Sequence, residues 1–147
     1  MKKYVVVLDI DQSDGVVSAW VEMEKSLITT MADSIDEAVL NIRMLIQDFI
    51  ENEWKDKAAW QNVNASEIEF DFEYSLMSFF EAFKSLKIGE VAKLAGMNPA
   101  LLRAYAVGDK NASLTQAQKI ETAAHKLATS LLNARVVPFK PTHALAK

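Results

Sequence analysis

The chain has 147 residues, half of them hydrophobic, and carries a net charge of −4. This length suits one medium domain or two small ones, and the hydrophobic content excludes a chain that is disordered throughout. The absence of cysteine excludes disulfides, thiol catalysis and zinc–thiolate sites, and it fits a reducing compartment.

No targeting or membrane segment is expected. The apolar run Tyr4–Leu8 is too short for a signal peptide, and Asp9 and Asp11 follow it at once. No apolar stretch approaches the roughly 20 residues that span a bilayer. We therefore expect a cytoplasmic protein without a membrane partner.

Charge is divided unevenly between the two halves of the chain. Residues 1–74 contain 16 acidic and 6 basic residues, a net charge of −10, whereas residues 75–147 contain 4 acidic and 10 basic residues, a net charge of +6. Such asymmetry is typical of a nucleic-acid-binding module joined to a different module. The alternative is that the two oppositely charged halves attract each other within the molecule.

The first 74 residues predict a small α+β domain. Tyr4–Leu8 is rich in β-branched residues and reads as a buried strand. Asp14 and Gly15 both tolerate positive φ, so they predict a hairpin turn. Residues 16–23 then form the returning strand, and residues 27–30 could add a third antiparallel strand.

A helix follows these strands. Ser34 and Glu37 form an S-x-x-E capping box, which satisfies free N–H groups at the start of a helix. Apolar residues then recur at spacings of three and four up to Trp54, which predicts one face packed on a sheet. The polar segment 55–66 is predicted to be a loop.

Strict alternation marks the last strand of this domain, from residue 67 to residue 74. The acidic set is Glu67, Glu69, Asp71 and Glu73, and the apolar set is Ile68, Phe70, Phe72 and Tyr74. Period two predicts a strand with one buried and one acidic face. The predicted order is thus β-β-β-α-β, a mostly antiparallel sheet with a helix on one side. The acidic face is either a docking surface for a basic partner or an ordinary solvated face.

Residues 75–134 predict an all-α domain. Leu76, Phe79, Phe80 and Phe83 mark its first helix, and residues 88–95 its second. Further helix boundaries are predicted from an N-cap at Asn98, a proline at Pro99, a stop at Gly108 and a capping box at Ser113 and Gln116.

Two short helices separated by Gly96 predict a helix-turn-helix. Ala92 is small where the helices cross, and Gly96 supplies the left-handed turn residue. Met97, Leu102 and Tyr105 are predicted to pack beneath the second helix.

The segment from Glu90 to Gly108 resembles the phage-repressor-like (XRE) family of DNA-binding domains. The resemblance implies that the second helix of the motif lies in the major groove of DNA. Carried over by position, the residues facing DNA are Asn98, Pro99, Ala100, Arg103 and Ala104. Arg103 is the strong base-edge reader among them, able to bind guanine through two hydrogen bonds, unless it contacts phosphate or only solvent.

The same resemblance implies phosphate contacts and a dimer. The candidate phosphate contacts are Lys87, Lys110 and Lys119, each of which could equally be an ordinary surface lysine. Domains of this family usually bind two half-sites as dimers, so we expect self-association.

The order of elements over the whole chain resembles the HicB-like antitoxins of bacteria that carry an appended helix-turn-helix. The matching segments are Tyr4–Leu8, Asp14-Gly15, and residues 27–30 running into residues 34–38. The resemblance implies that the first domain is a reduced RNase H-like β-β-β-α-β fold. Residues 31–33 differ from the family, which carries a glycine and an aspartate there.

This resemblance also implies a function. The N-terminal domain would hold a small, basic, mRNA-cleaving toxin, and the C-terminal domain would bind double-stranded operator DNA and repress its own operon. One alternative is a transcription regulator whose N-terminal domain dimerises or senses a ligand. Another is a degenerate nuclease in which Asp9 and Asp11 share one strand face and hold metal ions.

No enzymatic activity, cofactor or metal site is expected. His125 and His143 each lack a second ligand at suitable spacing. Residues 135–147 contain prolines and basic residues, and they predict a flexible basic tail.

Overall fold

A computed structural model describes residues 3–138, which form an α+β protein. Its strands are β1 (Tyr4–Ile10), β2 (Val17–Met23), β3 (Ser26–Ala32) and β4 (Phe70–Tyr74). Its α-helices are α1 (Ile35–Glu51), α2 (Leu76–Ala82), α3 (Ile88–Ala95), α4 (Pro99–Ala106) and α5 (Leu114–Leu132). Two 3-10 helices, Ala58–Trp60 and Ala65–Glu67, lie between α1 and β4.

The four strands form one mixed sheet in the order β3-β2-β1-β4. β1 pairs antiparallel with β2, and β2 pairs antiparallel with β3. β4 joins the other side of β1 in parallel, with Tyr4 opposite Phe70 and Leu8 opposite Tyr74. A parallel pair needs a long crossover connection, which α1 and the segment after it provide. The expected mostly antiparallel sheet is therefore present, with one parallel edge strand.

The hairpin between β1 and β2 turns at the predicted position. Gly15 has a φ of +74°, and its N–H donates to the carbonyl of Asp11 at 2.8 Å. The Asp11 carboxylate accepts hydrogen bonds from the hydroxyl and the N–H of Ser13, and these bonds lower the pKa of Asp11. The prediction that Asp9 and Asp11 share a strand face is wrong, because β1 ends at Ile10 and Asp11 belongs to the turn.

Helix α1 begins as predicted, because the hydroxyl of Ser34 accepts a hydrogen bond from the N–H of Glu37 at 3.1 Å. The helix lies over β2 and β3. Its fully buried face consists of Ala38, Ile42, Ile46 and Ile50. Burial of this stripe against the sheet forms the core of the N-terminal half.

The segment after α1 is more ordered than a polar loop. Trp60 is buried and stacks on Trp54 with ring centroids 5.0 Å apart. The indole N–H of Trp60 donates to the carboxylate of Glu24 at 3.0 Å. The predicted loop over residues 55–66 contains neither α-helix nor strand, but it includes 3-10 turns, and Trp60 anchors it on the core.

Strand β4 begins at Phe70 and not at Glu67, so the first half of the predicted strand is wrong. The guanidinium of Arg43 donates to the carbonyls of Ala65 and Ile68 at 2.9 and 3.0 Å, and it lies 4.5 Å from the centroid of the Phe70 ring. Both carbonyls are thereby satisfied outside a strand ladder.

Helix α2 connects the sheet to a second core, which lies among α2, α3, α4 and α5. Met77 packs on the first core and Phe80 lies in the second. The buried hydroxyl of Ser78 accepts a hydrogen bond from the N–H of Ile10 at 2.9 Å. This bond links β1 to α2 past Leu8 and Tyr74, where the pairing of β1 with β4 ends. The side-chain amide of Gln12 also donates hydrogen bonds to the carbonyl of Val107 and to the carboxylate of Asp109.

Within residues 3–138, no helix combines the length and the hydrophobicity needed to cross a membrane. Residues 135–138 are exposed and follow α5 without regular structure. The rest of the predicted tail, residues 139–147 with His143, lies outside the described residues.

Candidate nucleic-acid interface

Helices α3 and α4 are joined by a tight turn at Gly96. Gly96 adopts the left-handed conformation, with φ 67° and ψ 39°. The N–H of Met97 returns to the carbonyl of Ala92 at 2.9 Å, which closes the end of α3. Asn98 then caps α4 by accepting a hydrogen bond from the N–H of Ala100 at 2.8 Å, and Pro99 follows at the first helical position.

The inner side of this helix pair is closely packed. Ala92 and Leu102 are fully buried, Tyr105 is 7% exposed, and Met97 packs on the same core. A small side chain at Ala92 lets the two helices approach closely, and Leu102 fills the space beneath α4. The packing predicted from the sequence is confirmed.

The outer side of α4 is open. Pro99, Ala100 and Arg103 are exposed, whereas Ala104 is half-buried. In the part of the chain that the structure describes, Arg103 makes no ion pair. Its guanidinium is therefore available to a ligand, while the oxygen of Asn98 is already engaged as the cap and leaves only the amide NH₂ to donate.

The three candidate phosphate contacts are all exposed but lie on different elements. Lys87 is the N-cap residue of α3, Lys110 follows α4, and Lys119 lies in the second turn of α5. Lys93, in the last turn of α3, is exposed as well, and the sequence reasoning did not single it out. Val107, the C-cap residue of α4, follows Arg103 by four residues and is 52% exposed, and no sequence pattern indicated it either.

The acidic residues predicted to form one strand face do not all lie on a strand. Glu67 ends the second 3-10 helix and Glu69 precedes β4, so only Asp71 and Glu73 belong to the strand. Asp71 forms an ion pair with Lys3 at 3.2 Å. All four carboxylates are exposed.

Asp71 and Glu73 belong instead to the sheet face opposite α1, which we call the open face. Side chains alternate along each strand, so Val5 and Val7 lie on the same side as their β4 partners Asp71 and Glu73. Its hydrophobic members are Val5, Val7, Trp20, Leu27 and Met31. Its acidic members are Asp9, Glu22, Asp71 and Glu73. This grouping depends on strand register, so no local sequence pattern revealed it.

Helix α5 presents an apolar stripe that no other part of residues 3–138 covers. Among its 19 residues, only Ile120 and Ala123 are buried. Leu114 and Leu131 are 75% and 65% exposed. The predicted apolar face of α5 therefore serves the core of the chain only near its middle.

An open groove of about 1040 Å³ separates α5 from β4 and α2. Its walls include Phe72 and Phe83 on one side and Leu114 and Leu131 on the other. Phe72 is 37% exposed, because α1 packs mainly on β2 and β3. Ile68 is buried, and Phe70 and Tyr74 are half-buried against the first core, so the expected buried apolar side fails only at Phe72.

Within residues 3–138, no three histidine or carboxylate side chains lie close enough together to hold a metal ion. Comparisons with protein-family models, with curated proteins and with solved structures gave no match. The fold and the chemistry of these surfaces are therefore the basis for assigning a function.

Proposed function

We propose that this chain is a cytoplasmic DNA-binding antitoxin. In this proposal the helical half binds operator DNA through a helix-turn-helix formed by α3 and α4, and the sheet half holds a small, basic, mRNA-cleaving toxin. One observation carries the proposal: the unit around Gly96 has a fully packed inner side and an open outer side that presents Arg103. Repression of its own operon would follow from promoter binding.

The chemistry of the helical half supports a DNA ligand. Its net charge of +6 attracts the phosphate backbone, and the lysines around α3 and α4 are exposed. Arg103 alone on the outer side of α4 has the donors to read guanine in the major groove. Base readout by one strong side chain predicts modest sequence specificity, with most of the affinity coming from phosphate contacts.

The exposed stripe of α5 supports a homodimer. A helix owes most of its stability in a protein to the packing of its apolar face, and α5 packs only Ile120 and Ala123. A second copy that covers Leu114 and Leu131 would complete this packing and give the two-fold symmetry of a paired operator site.

The sheet half supports a basic protein partner. Its net charge of −10 favours encounter with a positively charged protein and disfavours nucleic acid. A mRNA-cleaving toxin must itself carry a positive surface for RNA, which an acidic antitoxin can cover.

A regulator without a toxin is the second candidate, and the groove between α5 and β4 favours it. Its volume of about 1040 Å³ combines aromatic and aliphatic walls with the charged side chains of Asp9, Glu73 and Lys110, which would suit a ligand with both apolar and polar groups. In that case the sheet half senses a ligand or dimerises, and DNA binding remains the task of α4.

A DNA-binding experiment tests the part that both candidates share. The probe is the duplex upstream of this gene, and a scrambled duplex is the reference. Arg103→Ala should weaken specific binding by about 1–3 kcal/mol, whereas Lys110→Ala should weaken binding to both duplexes equally and reduce its salt dependence. Lys55→Ala removes one exposed positive charge from the sheet half and serves as the matched control.

Two outcomes would contradict the proposal at different points. Unchanged specific binding by Arg103→Ala would show that α4 docks in another register. Failure of the unaltered chain to bind either duplex at moderate ionic strength would remove the DNA-binding function. Coexpression with the small basic product of the adjacent gene tests the antitoxin: unrelieved toxicity would leave only the regulator.

A further inference from the structure

The open face has the composition of a protein-binding surface. Trp20 lies near its middle, opposite Val7 on β1 and Thr29 on β3. Leu27 and Met31 on the edge strand β3 are 64% and 69% exposed, and Val5 is 43% exposed. Exposed hydrophobic side chains that share one side of a sheet can mark an interaction site, and tryptophan is enriched at the centres of interfaces.

Carboxylates border this hydrophobic area and fix the charge of its occupant. Asp9, Glu22, Asp71 and Glu73 lie on the same side of the sheet, and none of the alternate strand positions on this side carries a basic side chain. Lys3, just before β1, pairs with Asp71 and offsets one of the four charges. The surface therefore combines an apolar area that reaches the edge strand β3 with carboxylates along β4 and at Asp9 and Glu22, which form its acidic rim.

This charge argues against two other occupants. A second copy of the chain packed face to face would set two acidic rims against each other, and like charges across an interface disfavour association. A nucleic acid would bring its phosphates to the same carboxylates. The helical half contacts the sheet through the end of β1 and the hairpin, by way of Ser78 and Gln12, and leaves Trp20 and the β3 side chains uncovered.

We infer that the open face binds a small basic protein, whose apolar residues cover Trp20, Leu27 and Met31 while its basic residues meet the acidic rim. This inference rests on the proposed function, since it gives the antitoxin's partner a docking surface. It moves the docking surface from the predicted acidic strand 67–73 to the side of the sheet that α1 leaves bare.

Trp20 supplies a direct reporter of occupancy. Trp54 and Trp60 are buried, at 3% and 4% exposure, whereas Trp20 is half-buried on the open face. Acrylamide, an uncharged quencher that the carboxylates do not repel, therefore quenches Trp20 preferentially. A partner that covers the open face will protect this fluorescence, and one that binds elsewhere will not.

The test titrates the full chain with a purified small basic protein encoded beside this gene, and a neighbourhood that encodes none would remove the proposed toxin partner and the inference together. The variant Leu27→Lys with Met31→Lys places two positive charges on the open face. The matched control, Leu40→Lys with Met44→Lys, alters the same residue types at 58% and 62% exposure on α1, on the other side of the sheet. Circular dichroism confirms that both variants keep their fold.

We expect binding to protect Trp20, the open-face variant to raise Kd about tenfold or more, and the control to stay within about twofold of the unaltered chain. Binding that leaves Trp20 quenchable and is unchanged in the open-face variant would overturn the inference while preserving the antitoxin function. Absence of any binding would remove the proposed toxin partner and the inference together. Protection that rises with the concentration of this chain alone would assign the face to a second copy and overturn the inference.

Discussion

The two halves of the molecule differ in how completely each buries its own apolar side chains. Residues 3–74 and 75–138 are of similar length, yet the first core holds 17 buried hydrophobic residues and the second holds 7. In the sheet half, one core contains buried residues of α1, β1, β2 and β3 together with Trp54 and Trp60. The helical half leaves most of α5 exposed.

This difference teaches that the helical half depends more on its neighbours. It gains the Ser78–Ile10 hydrogen bond and the aromatic contacts of Phe79 and Phe83 with Tyr74 at the end of β4. In the proposed dimer it also gains the cover of a second α5. Variants that weaken one core or the junction measure how far the halves can be separated.

The largest effect is expected from Leu102→Ala, which opens a cavity at a fully buried position in the smaller core. Such a change costs about 2–5 kcal/mol. All three tryptophans lie in the sheet half, so their fluorescence reports that half, while circular dichroism follows the helices of both. In urea, the helical signal should decline before tryptophan fluorescence changes. Coincident transitions of the two signals would show that the two halves unfold as one cooperative unit.

Next in size is Ser78→Ala at the junction. This change leaves the buried N–H of Ile10 without an acceptor, which costs about 1–3 kcal/mol. The control is Ser130→Ala, an exposed position in α5 where little change is expected. Equal unfolding midpoints for the two variants would show that the Ser78–Ile10 hydrogen bond contributes nothing measurable to stability.

A smaller contrast comes from the two serine N-caps. Ser34 caps α1 and Ser113 caps α5, with N–H to hydroxyl distances of 3.1 and 3.2 Å. Replacing either serine by alanine should cost about 0.5–2 kcal/mol. Ser34→Ala should shift the tryptophan transition, whereas Ser113→Ala should shift only the helical one. The opposite assignment would contradict the division into two cores.

The smallest effect concerns the pKa of Tyr74, beside the junction. Partial burial, and secondarily the charge of Asp36, raise this pKa above its ordinary value of 10.0. The neutral phenol therefore contributes stability that is complete below pH 10.0 and is lost as the pH rises through the folded-state pKa. Asp36→Asn should lower the pKa of Tyr74 in an ultraviolet absorbance titration. Asp48→Asn, farther along α1, should not.

Short-range signals made much of the fold predictable. Some signals involve only residues a few positions apart, so the sequence alone identifies them. They are the turn at Gly15, the caps at Ser34 and Asn98, and the left-handed Gly96. Alternating and helical hydrophobic patterns then gave the order of elements. The position of Arg103 on the outer side of α4 was expected from the family resemblance, and Arg103 is exposed there.

Contacts between distant residues explain what the sequence did not reveal. The start of β4 is set by Arg43, more than twenty residues earlier, and Trp60 is buried through Trp54 and Glu24. The residues of the open face are grouped by the register of all four strands, which places Asp9 and Glu73 on the same side of the sheet. The exposure of α5 was likewise not visible, because an apolar stripe looks the same whether its partner is in this chain or in another.

The hairpin reaches the end of α4 through one side chain. The amide nitrogen of Gln12 donates to the carbonyl of Val107 and to the carboxylate of Asp109, both at 2.9 Å. Gly108, between them, lies so close that a Cβ there would stand 3.1 Å from the Gln12 side chain. A ligand that moved this turn would therefore have to shift or break both hydrogen bonds at the end of α4. The β1–β2 turn and the C-terminal end of α4 thus hold each other in position by direct contact.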